Sequence, residues 1–123
     1  MNKTNYTPAV VDLSELKERL DGDKVVFLEV AELFFENYDE EIETMGNAIR
    51  SADFDKLNQC AHSLKGSLGN LSAISAAEEA FKLEKMALHR DISGAAETFE
   101  NLKTYVSLYK KFVEDVKAGR GWD

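Results

Sequence analysis

Apolar residues along this chain recur at steps of three and four, the period of helices with one buried face, in five successive segments. The pattern predicts a short first helix over about Leu13 to Leu20, with Asp12 as its N-cap and Asp21-Gly22-Asp23 as its stop. A second, long helix covers about Lys24 to Arg50, with a stripe of Ala31, Phe35, Tyr38, Ile42, Met45 and Ile49, and Ser51-Ala52-Asp53 breaks it. The third runs from about Phe54 to Leu68 on a stripe of Phe54, Leu57, Ala61, Leu64, Leu68 and Leu71, and Gly69 with Asn70 reads as its left-handed cap. A fourth starts after Ser72 and reaches about His89. The fifth, about Gly94 to Lys117, repeats Ala95, Phe99, Leu102, Val106, Tyr109, Val113 and Val116. Pro8 is the single proline, so nothing beyond it breaks a helix except glycine. Long amphipathic helices with short polar breaks predict an all-α fold, an antiparallel up-and-down four-helix bundle with a short extra N-terminal helix. The short breaks favour one chain folding back on itself as a monomer over a coiled-coil dimer.

The second helix has more apolar surface than one core face needs, because Val26, Phe27, Val30, Leu33 and Phe34 widen its stripe. Two readings stand side by side: the short first helix covers that surface, or it is a docking patch.

Composition bounds the rest. With 123 residues, 44% hydrophobic and 31% charged, the chain suits a single domain over 1–123, with a core at about 13–117 and flexible ends at 1–11 and 118–123. It has no apolar run of membrane-spanning length and no leader pattern, which predicts a soluble, cytoplasmic protein. The lone cysteine, Cys60, excludes an internal disulfide framework and reads as helix packing. A net charge of −8 argues against nucleic acid and against membrane surfaces as partners. That charge is uneven: Glu29 to Asp55 holds nine acidic residues and one basic, whereas Lys56 to Arg90 holds five basic and three acidic. The relatively basic strip of Lys56, Lys65, Lys82 and Lys85 suits an acidic pocket on a partner protein, although Lys82 and Lys85 read better as ordinary solvated charges.

The chemistry concentrates in Ala61-His62-Ser63-Leu64-Lys65-Gly66-Ser67. Residues three and four apart share a helix face, so His62, Lys65 and Gly66 form one surface beside the apolar stripe: an imidazole, a fixed positive charge, and bare backbone. A glycine inside a helix costs about 1 kcal/mol relative to alanine, so Gly66 calls for a reason, either steric access to His62 or close approach of another helix. Such a surface can carry a phosphoryl group on nitrogen. Gln59, one turn before His62, is in reach to donate a hydrogen bond. On the fourth helix, Glu84 is the one ionisable member of a seam of Ala77, Phe81, Glu84 and Leu88, and a carboxylate at a seam edge needs a partner. A di-iron bundle would need Glu-x-x-His pairs, but Gln59 and Met86 stand three residues before His62 and His89. His89, at a helix end, reads as surface structure. There is no glycine-rich phosphate loop and no kinase signature, so any phosphate must come from another protein.

From about Leu13 to Val116 the sequence resembles the histidine-containing phosphotransfer (HPt) domain family, whose motif is His-x-x-Lys-Gly. Relatives carry Leu-Gly-Ala after the motif, where this chain has Leu71-Ser72-Ala73; Ser72 reads as an N-cap that changes only how the fourth helix begins. The resemblance implies that His62 is the phosphoacceptor through Nε2, that Lys65 is its electrostatic partner, and that Glu84 hydrogen-bonds the imidazole Nδ1. It implies a phosphoryl carrier without kinase activity of its own, taking phosphate from the receiver domain of a hybrid sensor histidine kinase and passing it to that of a response regulator. No cofactor is implied on this chain, Mg²⁺ being expected on the receiver. The alternative is a non-catalytic helical adaptor that docks receiver or kinase domains, against which the intact His62, Lys65 and Gly66 argue.

Overall fold

The computed structural model of the protein describes residues 9–123. It contains α1 (Leu13–Arg19), α2 (Lys24–Arg50), α3 (Phe54–Asn70), α4 (Ile74–Leu88) and α5 (Ala95–Lys117), with no strand among the described residues. Aspartates open the first three helices. Asp12, Asp23 and Asp53 accept from the backbone N–H groups of Glu15, Val26 and Lys56, each at 3.1 Å, and so satisfy donors that a helix start leaves free.

The helix ends share one device. After α1, α2, α3 and α4 the chain takes a left-handed residue that is not glycine, at Asp21, Ala52, Ser72 and Arg90, while α5 uses Gly119. At Ser72 the geometry is complete: its N–H bonds the Gly69 carbonyl at 3.0 Å, and the Ala73 N–H bonds the Leu68 carbonyl at 3.0 Å. Two expectations are thereby corrected. Gly69 and Asn70 remain helical, and Ser72 closes α3 instead of capping α4, whose N-cap is Ala73 with no side-chain bond. A position needing φ of 53° is one that glycine takes without strain. Ser72 is fully buried, and its hydroxyl donates to Glu15 Oε1 at 2.7 Å.

α3 packs on α4, α4 on α5, α5 on α2 and α2 on α3, a closed four-helix ring. Leu57, Leu64, Leu68, Leu83, Leu102, Val106, Tyr109 and Phe112 fill its centre. Burial pushes the Tyr109 phenol pKa up, and its O–H donates to the Leu71 carbonyl at 2.6 Å, tying α5 to the α3–α4 turn. α1 closes that end of the bundle through Leu16 and through the Asp12 N–H, which bonds the Ser72 carbonyl at 2.9 Å. The core also extends past 13–117, because Val10, Val11 and Trp122 are buried; of the segment 1–11, residues 1–8 lie outside the described residues. Trp122 stacks on Phe27 with ring centroids 5.1 Å apart.

The widened face of α2 divides. Phe27 and Phe34 are buried, Phe34 more deeply than the expected Phe35, whereas Val25, Val26, Val30 and Leu33 stay exposed, so α1 does not cover them. No helix among the described residues is long and apolar enough to cross a membrane.

A left-handed φ at a residue with a Cβ costs about 1 kcal/mol, and Ala52, exposed at φ 53°, has nothing to offset it. Ala52→Gly is expected to raise stability by up to about 1 kcal/mol, a rise of a few degrees in Tm by thermal melting. Ser72→Gly should gain less, since it also removes the bond to Glu15.

Candidate functional site

His62 stands in the middle of α3, outside the buried row of Leu57, Ala61, Leu64 and Leu68, with its side chain 69% exposed. Facing it from α4 is Glu84, whose side chain is only 17% exposed. Glu84 Oε2 lies 2.7 Å from His62 Nδ1, and Oε1 accepts from Lys65 Nζ at 2.7 Å. One carboxylate thus bridges the two side chains. The Lys65 bond chiefly holds the Glu84 carboxyl below its ordinary range, assisted by the bond to His62 and opposed by burial. An ionised carboxylate only accepts, so its bond to Nδ1 requires the proton there, and a neutral ring then presents its lone pair on Nε2.

Gly66 is open. A Cβ built on it meets nothing within 4 Å, so no neighbouring helix explains this glycine. The packing glycine of the bundle is Gly46, where a Cβ would come within 3.3 Å of the Phe99 ring, and the sequence reading missed it. Gln59 is exposed on α3, one turn before His62, and makes no side-chain hydrogen bond among the described residues. His89 is the exposed C-cap of α4, outside the group. Asn58, which no sequence pattern singles out, has its amide nitrogen 3.5 Å from the Glu84 carbonyl, a weak contact across the same pair of helices.

The seam proposed for α4 is not its buried face. Ala76, Glu79, Ala80, Leu83 and Ala87 point inward, while Phe81 and Leu88 are exposed. Phe81 instead borders the site: the Lys65 ammonium lies 4.8 Å from its ring centroid and that of Lys85 4.6 Å. The buried carboxylate of α4 is Glu79, bonded to Lys82 at 2.9 Å and to Asn101 of α5 at 3.4 Å, a structural tie that only its register with Ala76, Ala80 and Leu83 could have signalled. Cys60 is half-buried on α3, and burial chiefly raises its thiol pKa, which suits packing. Among the described residues no group of three or more His, Cys, Asp or Glu side chains is arranged to hold a metal ion.

Comparison with known families returns the Hpt domain, whose family model matches residues 29–118, a span that holds His62, Lys65, Gly66 and Glu84 and leaves out α1. No curated protein and no solved structure matches.

Glu84 gives the site a pH signature. Its folded pKa lies below the ordinary value, so the unfolded chain binds the proton more readily, and the stabilisation is present above the ordinary carboxylate range and lost as pH falls through the folded value. Urea denaturation of wild type and Glu84→Gln should therefore show a stability gap at neutral pH that narrows as pH falls below the ordinary carboxylate range. Equal stabilities at neutral pH would contradict the bridging role of the charge.

Proposed function

The chain belongs to the Hpt domain family, which carries phosphoryl groups on histidine in two-component phosphorelays, and on that premise we propose that His62 is its phosphoacceptor. The observation that carries the proposal is the 2.7 Å contact between Glu84 Oε2 and Nδ1 of a largely exposed ring, which turns the Nε2 lone pair to solvent. The donor is an aspartyl phosphate on the receiver domain of a hybrid sensor histidine kinase. Nε2 attacks phosphorus, the bond from phosphorus to the aspartate oxygen breaks, and the aspartate leaves as a carboxylate. The ring, protonated at Nδ1, becomes cationic as the N–P bond forms, and Glu84 faces that charge. The reverse displacement delivers the group to the receiver aspartate of a response regulator.

Lys65 supplies positive charge to the phosphoryl oxygens, which matters because this transfer depends on in-line positioning and charge neutralisation. Gly66 leaves the space the receiver must enter. Mg²⁺ belongs to the receiver's carboxylates in this scheme. The protein acts as a monomeric cytoplasmic carrier without kinase activity of its own. A docking-only adaptor would need neither an imidazole held by a carboxylate nor an empty glycine face, so the carrier reading is preferred.

His62→Gln is expected to reduce labelling by a phosphorylated receiver domain to background, read as acid-labile, base-stable phosphate, while stability changes by no more than about 1 kcal/mol. Full labelling of that variant would refute the assignment. Gly66→Leu should keep the fold, because its side chain enters open space, yet slow transfer at least tenfold (about 1.4 kcal/mol in the barrier) by obstructing the approach to His62. Stopped-flow transfer at the wild-type rate would remove the steric argument.

A further inference from the structure

Among the described residues the ammonium of Lys65 meets two groups, and the sequence motif accounts for only one use of it. On one side Glu84 Oε1 holds Nζ at 2.7 Å, and on the other the Phe81 ring centroid lies 4.8 Å away. Phe81 is 45% exposed on the outer face of α4, where a polar residue would serve a purely structural helix. With Lys65, Ile74, Ala77 and Glu78 it lines a largely apolar hollow of about 330 Å³.

We infer that Phe81 is a positioning residue that confines the Lys65 ammonium beside His62 while it exchanges Glu84 for the phosphoryl oxygens. The inference rests on the preceding reading, in which Lys65 serves phosphoryl transfer at His62. Glu84 cannot do this alone, because the bond that holds Lys65 is the bond that must loosen when a group carrying nearly two negative charges arrives at Nε2. A hydrogen bond is directional, and its loss frees a flexible four-carbon stem. An aromatic face attracts a cation over a broad area within about 6 Å, so the ammonium can shift across it without being released to solvent. The Lys85 ammonium lies 4.6 Å from the same ring centroid, so the hold on Lys65 has to be told apart from a general effect of charge beside the ring.

The test uses phosphoramidate, a small donor that needs no docking surface. Nε2 of His62 forms the N–P bond as the donor's own P–N bond breaks, and the amine, already protonated in the zwitterionic donor, departs as ammonia. Phosphorylation is followed by ³¹P NMR in the full chain. Phe81→Leu, which keeps an apolar side chain and removes the aromatic face, should slow phosphorylation about threefold, the size of an exposed cation–π contact. Phe81→Trp should restore the rate, and Lys85→Ala should not lower it. In a Lys65→Ala background, Phe81→Leu should have no further effect. Multiplying effects, a failure of Phe81→Trp to rescue, or an equal loss in Lys85→Ala would overturn the inference.

A second readout needs no phosphate. The ε-methylene protons of Lys65 should show an upfield ring-current shift in wild type that Phe81→Leu abolishes and Phe81→Trp retains. If wild type shows no such shift, the hold of Phe81 on Lys65 is refuted whatever His62 does. If the shift is present and wild-type His62 takes no label from phosphoramidate or from a phosphorylated receiver, it is the phosphoacceptor reading that fails, and with it the use proposed for that hold.

Discussion

The register between α3 and α4 is the constraint on which the site depends. Two antiparallel helices joined by a tight turn bring together residues equally distant from it, and Ala73 lies midway between His62 and Glu84. The turn is fixed by the left-handed Ser72, by the Tyr109 hydroxyl on the Leu71 carbonyl, and by the Asp12 N–H on the Ser72 carbonyl. α5 and α1 therefore act on the histidine without touching it. A slip of one residue would rotate Glu84 by about 100° around α4 and separate the carboxylate from both His62 and Lys65.

Much of this was legible in the sequence, for reasons that differ by residue. The starts of α1, α2 and α3 were readable because aspartate immediately before an apolar stripe satisfies free N–H groups, and all three caps are present. The close of α3 was not, because the expected glycine at the left-handed position is a serine whose strain is offset by a bond to Glu15, a residue far away in sequence. On α4 the large residues misled. Ala76, Ala80 and Ala87 form the inward face, but alanine is too small to announce burial, whereas Phe81 and Leu88 stand outside. The burial of Trp122 on Phe27 is a tertiary contact between the chain's end and α2 that no local period encodes.

At the site itself, the spacing of His62, Lys65 and Gly66 was readable as one helix face, and the expectation that Glu84 needs a partner came from its charge at a seam edge. The identity of its partners could not be read that way. Lys65 could equally have pointed to solvent, and its pairing with Glu84 arises only because α4 presents a carboxylate at that level of α3.

The charge distribution bears on the encounter with a partner. α2 carries most of the excess negative charge, and beside it Val26, Val30 and Leu33 remain uncovered; the cations nearest His62 lie on α3 and α4. In the proposed function, a partner that brings an acidic phosphoryl-binding pocket to His62 would meet Lys65, while the acidic length of α2 would repel negative charge elsewhere on it. Long-range repulsion and short-range attraction of this kind favour one orientation over many, because an approach that does not align the pocket with His62 gains none of the local compensation. Glu84 sharpens the same condition. Its carboxylate holds Lys65 at 2.7 Å, so in the proposed function the full positive charge would become available only to an anion that competes with Glu84.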